Sequence, residues 1–215
     1  MTVNTILFDL DGTLIDTAPD LAYALNALLL ENGLSKKPYE KIKPLVAFGG
    51  KALIQFGFDC DESHPEFTNR HLRILEIYTD NIDQFSKTFD GIDVLLKIIK
   101  ERKMYWGIVT NKPENLTNLL LEKLGLKPDV VVCGDTLEYN KPHPAPLLYA
   151  CAQLGVSTQH CWFVGDDKND MVAGKNAQIK TVAVTYGYGK VKQDWGYDYL
   201  IEQPSEILEL MNGDH

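Results

Sequence analysis

Residues 5–14 read TILFDLDGTL, and their pattern is the first indication of the fold. Its first four residues are apolar or β-branched, which is typical of a short buried strand. Asp9 and Asp11 follow the strand, and Gly12 provides a turn. Buried strands that end in such polar turns are typical of parallel α/β sheets, whose ligands bind beyond the carboxyl ends of the strands.

Four later apolar runs have the same character as the first strand. They are residues 105–110, 130–133, 161–165 and 179–184. Between them, leucines and isoleucines recur at helical spacing, as in the helix that ends at Gly125. Strands that alternate with helices predict an α/β fold with a doubly wound parallel sheet.

Residues 17–83 interrupt this alternation. Pro19 favours a helix start, and an apolar face that includes Leu21 and Leu28 continues to Gly33. Further helical patterns lie around 38–47, 49–57 and 64–81, and none of the segment reads as a strand. The sequence therefore predicts an inserted helical domain at 17–83 and an α/β core built from 1–16 and 84–215.

Composition and charge exclude several classes of protein. The chain has 215 residues, 45% of them hydrophobic and 24% charged, which is ordinary globular usage. Its 21 basic and 30 acidic residues give a net charge of −9, so neither nucleic acid nor an anionic membrane surface is the expected partner. The sequence contains neither an apolar run of about 20 residues nor a basic leader, and its four cysteines form no CxxC pair. We expect a cytoplasmic protein with free thiols, either a monomer or a homodimer.

Polar residues follow four of the predicted strands. They are Asp9 and Asp11 after the first, Thr110 and Asn111 after the second, Lys141 after the third, and Asp166 and Asp170 after the fourth. Each group taken alone has a commoner explanation as a turn, a helix cap or a solvated surface residue. All these explanations would have to hold together, each at a strand end, so the set favours a single site at one edge of the sheet.

Phosphoryl transfer is the chemistry that these residue types suit. Carboxylates such as Asp9 and Asp166 are hard oxygen ligands of the kind that Mg²⁺ prefers. A carboxylate can also attack phosphorus, and Asp11, two residues further on, can protonate the leaving oxygen and then activate water. Thr110 and Lys141 can bind the phosphate oxygens where negative charge spreads in the transition state.

These residues, in this order, resemble the four motifs of the haloacid dehalogenase superfamily, and the likeness covers essentially the whole chain. The matching segments are residues 8–14, 109–111, 141–142 and 165–170. The resemblance implies a Rossmann-like core with an α-helical cap and a small phosphorylated metabolite as substrate. It implies Asp9 as the nucleophile and Asp11 as the general acid/base. The Mg²⁺ ligands that the resemblance implies are the side chains of Asp9 and Asp166 and the backbone carbonyl of Asp11.

The remaining roles that the resemblance implies concern the phosphoryl group and substrate choice. Asp170 would support the metal from the second shell or through water, and Thr110, Asn111 and Lys141 would hold the phosphoryl group. Residues 44–51, and within them Phe48, Gly49, Gly50 and Lys51, resemble the specificity loop of the cap. The Ala47-Phe48 pair departs there from the commoner glycine-rich pattern.

Finer features point to one branch of the superfamily. Residues 109–113, 134–136 and 185–189 resemble phosphoglycolate phosphatases, and Trp195-Gly196 is shared with the related N-acetylmuramic acid 6-phosphate phosphatases. The sequence does not separate these two substrates. A phosphomutase of the β-phosphoglucomutase kind is less expected because the fourth motif has Asp166-Asp167 where those enzymes usually show Glu-Asp. Dehalogenation is disfavoured by Asp11, and a catalytically dead binding module by the presence of Asp9, Asp11 and Asp166.

Overall fold

The computed structural model describes residues 3–213, which form two compact units. Within these residues, one unit takes in residues 3–15 and 88–213, and the other takes in residues 16–87. Residues 1–2 and 214–215, which belong to the predicted core, lie outside the described residues. The helical unit extends four residues further towards the C-terminus than the predicted insertion at 17–83.

The larger unit contains a six-stranded sheet whose neighbouring strands are all parallel. Two further short strands, β2 (Ile15–Asp16) and β3 (Lys87–Thr88), pair with each other where the chain passes between the units. The strands of the large sheet are β1 (Thr5–Phe8), β4 (Tyr105–Val109), β5 (Val130–Val132), β6 (Cys161–Gly165), β7 (Lys180–Val184) and β8 (Tyr199–Ile201). The prediction of a parallel α/β sheet is confirmed, but β8 was not predicted because its three residues carry too short an apolar pattern.

The strand order is β5-β4-β1-β6-β7-β8, so the chain builds outward from β1 in both directions. β1 pairs with β4 on one side and with β6 on the other. This reversal of strand order next to β1 is a topological switch point, where parallel sheets leave a crevice beyond the strand ends. The carboxyl end of β1, which delivers Asp9, therefore lies at the centre of the crevice.

Helices alternate with the strands of the larger unit. They are α5 (Ile92–Glu101), α6 (Glu114–Leu124), α7 (Ala145–Leu154), α8 (Lys168–Asn176) and α9 (Glu206–Gly213), with single 3-10 turns at Thr158–His160 and Gln193–Trp195. β1 and β6 are fully buried, and Leu7 and Phe163 pack with Leu147 of α7 in the core. Strands buried on both faces fix the sheet rigidly and so fix the positions of the residues that follow them.

The smaller unit is helical apart from its contributions to β2 and β3. It contains α1 (Ala18–Glu31), α2 (Tyr39–Ile42), α3 (Gly49–Phe58) and α4 (Phe67–Asp80), with a 3-10 helix at Lys43–Phe48. Leu25, Leu29 and Leu53 are fully buried between these helices. None of the helices within residues 3–213 has the length and apolar character needed to cross a membrane.

A buried carboxylate ties the end of the helical unit to its first helix. Asp20 in α1 is fully buried and accepts hydrogen bonds from the backbone N–H groups of Phe85 and Ser86 at 3.0 and 2.8 Å. The Ser86 hydroxyl donates to the same carboxylate at 2.7 Å. These bonds explain why residues 84–87 belong to the helical unit, a long-range contact that no local pattern in the sequence announces.

We expect Asp20→Ala to destabilise the helical unit by about 2–4 kcal/mol, because three donors lose their charged acceptor inside the protein. Hydrogen exchange followed by mass spectrometry should show faster exchange at residues 84–87 and along α1. The exposed Asp80→Ala, at the end of α4, is the matched control and should leave exchange in these segments unchanged. Unaltered exchange at residues 84–87 in Asp20→Ala would contradict the anchoring role.

Candidate active site

The strand ends hold the candidate residues through continued backbone pairing. The N–H of Asp9, one residue beyond β1, donates to the carbonyl of Val164 in β6 at 2.9 Å. The N–H of Thr110, one residue beyond β4, donates to the carbonyl of Val132 in β5 at 2.9 Å. The sheet therefore sets the backbone position of both residues before their side chains make any contact.

Lys141 lies between two of the predicted carboxylates. Its Nζ is 2.7 Å from Asp9 Oδ1 and 2.7 Å from Asp170 Oδ1. The Lys141 side chain is 3% exposed and the Asp170 side chain 1%, so this contact is shielded from water. The other oxygen of Asp170 accepts the backbone N–H of Asp167 at 3.0 Å, which caps α8. Asp170 thus joins the start of α8 to the lysine.

Asp166 is held chiefly by backbone groups. Its Oδ2 accepts the N–H of Tyr188 at 2.7 Å and the N–H of Gly189 at 3.2 Å. Its Oδ1 accepts the hydroxyl of Thr13 at 3.1 Å, and the residue is only 1% exposed. The loop after β7 and the turn after β1 therefore fix the orientation of this carboxylate together.

Two glycines allow the loops to approach Asp166 this closely. Gly12 has a φ of +85°, and a Cβ at this residue would lie 2.5 Å from Asp166 Oδ2. A Cβ at Gly187 would collide with the carbonyl oxygen of Gly12 and with the Asp166 side chain. Only residues without a side chain fit at these two positions.

The side chain of Asp11 pairs with a second lysine. Lys112 Nζ donates to Asp11 Oδ1 at 3.1 Å and to Oδ2 at 3.4 Å. The Lys112 side chain is 6% exposed and that of Asp11 is 18% exposed. This second ion pair joins the turn after β1 to the loop after β4.

The two predicted phosphate-binding residues that follow β4 have structural partners as well. The Asn111 side chain donates to the carbonyl of Lys141 at 3.0 Å and accepts the N–H of Lys141 at 3.1 Å. The Thr110 hydroxyl accepts the N–H of Lys112 at 3.2 Å. Asn111 therefore positions the backbone of Lys141, and Thr110 shapes the turn that carries Lys112.

Burial dominates the electrostatics of the cluster. It raises the pKa of Asp9 and, more strongly, the pKa of Asp170, although the Lys141 ammonium opposes both shifts. Burial and the charge of Asp9 raise the pKa of Asp166 to about 6. Burial would lower the pKa of Lys141, but the Asp170 and Asp9 carboxylates outweigh it and hold that pKa above its ordinary value. The lysine is therefore a permanent cation.

The charges of the cluster favour a divalent cation. Asp9, Asp166 and Asp170 each offer a carboxylate oxygen, and these oxygens lie within 4.8 Å of one another. When all three carboxyls are ionised, their three negative charges against the single positive charge of Lys141 leave a net charge of −2 in a buried site. Uncompensated charge of this kind is unfavourable away from water, and a divalent ion held by carboxylate oxygens would neutralise it. The donor set therefore fits a metal such as Mg²⁺.

Several residues of this site were not among the predicted site residues. Lys112 belongs to the segment 109–113, but its pairing with Asp11 spans 101 positions and has no local signal in the sequence. The same holds for the bonds of Thr13 and of the Tyr188 N–H to Asp166. Tyr186 lies in the same loop, packs on Phe89 with ring centroids 5.0 Å apart, and has a buried hydroxyl without a hydrogen-bond partner among residues 3–213. Burial and the charge of Asp166 raise the pKa of Tyr186. The resemblance of residues 185–189, which read TYGYG, is the sequence signal that points to this loop.

The predicted specificity residues all lie in the helical unit. Phe48 ends the 3-10 helix and is 66% exposed, and Gly49 and Gly50 begin α3. Lys51 forms an exposed ion pair with Glu62 at 2.9 Å. An exposed aromatic side chain next to two glycines is a surface available for contact, and the local geometry does not assign it a ligand.

A family model described as haloacid dehalogenase-like hydrolase matches residues 6–184 of the chain. The chain is 38% identical over 215 residues to the phosphoglycolate phosphatase of Xanthomonas campestris pv. campestris, covering 95% of this chain and 94% of the relative. It is 34% identical over 217 residues to the N-acetylmuramic acid 6-phosphate phosphatase of Pseudomonas aeruginosa, covering 99% and 96%. Both relatives match along almost their whole length.

Solved structures show the same arrangement of elements. The crystal structure of a predicted phosphoglycolate phosphatase from Haemophilus somnus superposes with a TM-score of 0.88 at 27% identity, covering 98% of each chain. A putative phosphatase from Clostridium difficile superposes with a TM-score of 0.85 at 17% identity, covering 98% of this chain and 99% of the other, a likeness of fold alone.

Lys141→Met should destabilise the metal-free protein by about 3 kcal/mol or more, because it leaves buried carboxylates without their counter-ion. Urea unfolding at neutral pH in the presence of a chelator measures this loss. Lys123→Met, on the exposed surface of α6, removes the same charge without a buried partner and should change stability by less than about 0.5 kcal/mol. Equal stabilities of the two variants would contradict the role of Lys141 as the central counter-ion.

Proposed function

The chain belongs to the haloacid dehalogenase-like hydrolase family and is a phosphoric monoester hydrolase, and we propose that it is a Mg²⁺-dependent phosphatase that acts on a small phosphorylated acid through an aspartyl-phosphate intermediate. One observation carries this proposal: a buried cluster of three carboxylates around one lysine at the topological switch point of the sheet. The names of the relatives support phosphate esters as the substrate class.

Asp9 is the proposed nucleophile. Lys141 binds its Oδ1 at 2.7 Å, which orients the carboxylate, and the Asp9 side chain keeps 13% of its surface exposed. In the first step an Asp9 oxygen bonds to phosphorus as the bond from phosphorus to the ester oxygen breaks. The leaving oxygen takes a proton from Asp11. In the second step a water molecule gives a proton back to Asp11 as its oxygen bonds to phosphorus, the bond from phosphorus to the Asp9 oxygen breaks, and inorganic phosphate is released.

The remaining proposed roles concern metal binding, phosphate binding and the choice of substrate. Asp9, Asp166 and the carbonyl of Asp11 would hold Mg²⁺ with support from Asp170, and the bound ion would supply positive charge next to the phosphate oxygens. Thr110, Asn111 and Lys141 are the proposed phosphate-binding groups. The helical unit is proposed as the cap, with residues 48–51 as its specificity loop.

Two substrates have support from the comparisons. The relative that is 38% identical is named for phosphoglycolate, and the one that is 34% identical is named for N-acetylmuramic acid 6-phosphate. We propose 2-phosphoglycolate as the first candidate and N-acetylmuramic acid 6-phosphate as the second. A phosphate-release assay with Mg²⁺ and both compounds decides between them through the ratio of their kcat/KM values.

Asp9→Asn should lower kcat on the preferred substrate by at least about a thousandfold, because the amide is a poor nucleophile towards phosphorus. Phosphate release under saturating substrate measures the change. Asp194→Asn replaces an exposed acid of the same unit and should keep wild-type turnover. Near-normal phosphate release by Asp9→Asn would rule out the proposed nucleophile.

Mg²⁺ should raise the Tm of the metal-free protein more at about pH 7.5 than at about pH 5, because protons compete with the metal for carboxylates. The pKa of Asp166 is about 6 in the folded protein against an ordinary 3.8, so the stabilising effect of its protonation is lost as pH rises from about 4 to 6. Above that range, Mg²⁺ can replace the lost proton.

Thermal unfolding with and without Mg²⁺ at the two pH values measures this difference. Asp166→Asn should remove most of the Mg²⁺-induced rise in Tm at the higher pH. A rise in Tm that is the same at both pH values would show that Mg²⁺ does not bind this cluster.

A further inference from the structure

Tyr186 carries a buried polar group to which the proposed mechanism assigns no role. Its hydroxyl is removed from solvent and has no hydrogen-bond partner among residues 3–213. Such a group is unfavourable, because it has lost its bonds to water and gained none in return. In folded proteins nearly all buried polar groups are paired, with protein groups, ordered water or a ligand. The unpaired hydroxyl therefore indicates a partner other than the protein groups of residues 3–213.

The loop that carries Tyr186 is held against the carboxylate cluster. The Tyr186 ring packs on Phe89, with the ring centroids 5.0 Å apart, and the N–H of Phe89 donates to the carbonyl of Leu14 at 3.2 Å. The next residue, Gly187, touches Asp166, since a Cβ at Gly187 would lie 2.4 Å from the Asp166 Cβ. These contacts fix the phenol in a loop that lies directly on Asp166.

The hydroxyl is close to Asp166 but does not bind it. Burial raises the pKa of Tyr186, and the charge of Asp166 adds to this shift, so the carboxylate acts on the phenol electrostatically. The observed donors to Asp166 are the Thr13 hydroxyl and the N–H groups of residues 188 and 189. Polar groups that interact without a direct hydrogen bond are commonly joined by a water molecule between them. The Tyr186 hydroxyl thus lies near a candidate metal ligand, with an intervening oxygen atom as the fitting partner.

We propose that the Tyr186 hydroxyl positions a divalent cation at the cluster by accepting a hydrogen bond from a water molecule of its hydration shell. This inference rests on the proposed function, whose metal site it adopts, and deepens it by naming a positioning residue. Mg²⁺ keeps several of its waters when protein carboxylates hold it. A phenol oxygen can accept a hydrogen from such a water, and outer contacts of this kind commonly tune metal affinity.

The test measures binding of the metal alone, because a phosphate oxygen of the substrate could pair with the same hydroxyl. We would titrate MgCl₂ into the metal-free wild type, Tyr186→Phe and Tyr105→Phe and follow the heat of binding. Tyr186→Phe should raise the Mg²⁺ dissociation constant by about three- to tenfold, since one hydrogen bond to the hydrated cation is lost. Tyr105, at the start of β4, is 45% exposed, and Tyr105→Phe should bind Mg²⁺ like the wild type.

Thermal unfolding of the metal-free variants gives a second readout with a characteristic sign. Tyr186→Phe keeps the ring on Phe89 and removes only the unpaired hydroxyl, so its Tm without metal should rise by about 2 °C or more. Addition of Mg²⁺ should then raise its Tm less than it raises that of the wild type. A tyrosine whose hydroxyl is already paired would show the opposite sign in the absence of metal.

Equal Mg²⁺ dissociation constants for the wild type and Tyr186→Phe would overturn the inference. A lower Tm of metal-free Tyr186→Phe would overturn it as well, because the hydroxyl would then have a partner before any metal binds. A wild type that binds Mg²⁺ but releases no phosphate from any ester would contradict the proposed function, and the comparison of dissociation constants would still decide on Tyr186. A wild type that binds no Mg²⁺ would overturn the inference together with the proposed metal site.

Discussion

The contact between the Lys141 ammonium and the carboxylates of Asp9 and Asp170 is the interaction on which the rest of the site depends. It joins the end of β1 to the start of α8 through a residue that comes from the loop after β5. All three side chains are largely removed from water, so each depends on the others for charge compensation. The strand order of the sheet makes this contact possible, because β6 pairs with β1 on one side, and β4 and then β5 follow on the other side of β1.

A second layer of residues keeps these side chains in place. The Asn111 side chain holds the backbone of Lys141 through a pair of hydrogen bonds, and the capping box at Asp167 holds Asp170. Such supporting contacts restrict the rotamers of charged groups, which keeps the site close to a single geometry before any ligand binds. The cluster still carries excess negative charge in this state, and that excess is the physical reason to expect a divalent cation.

The sequence predicted the parallel sheet and the residues at four strand ends because both follow from local patterns. An apolar run followed by Asp9, or by Asp166, can be read within a few residues. The pairing of Lys112 with Asp11 spans 101 positions of sequence, and the bonds from Phe85 and Ser86 to Asp20 span 65 and 66. Contacts between residues so far apart in sequence depend on how the loops fold onto one another. They therefore produce no periodic pattern of residues in the sequence. The same reason accounts for the boundary of the helical unit, which lies beyond residue 83.

The loop after β7 has a consequence for how the chain tolerates change. It binds Asp166 through the N–H groups of residues 188 and 189, and every residue except proline supplies such a group. Replacing the Tyr188 side chain therefore leaves both donors in place, whereas adding a single methyl group at Gly187 drives the loop into its neighbours. The Tyr188 side chain is itself buried, with its ring centroid 6.3 Å from that of Phe89, so volume restricts its replacement. The two hydrogen bonds to Asp166 thus depend on the shape of the backbone, and the chemical type of the side chain at 188 does not enter them.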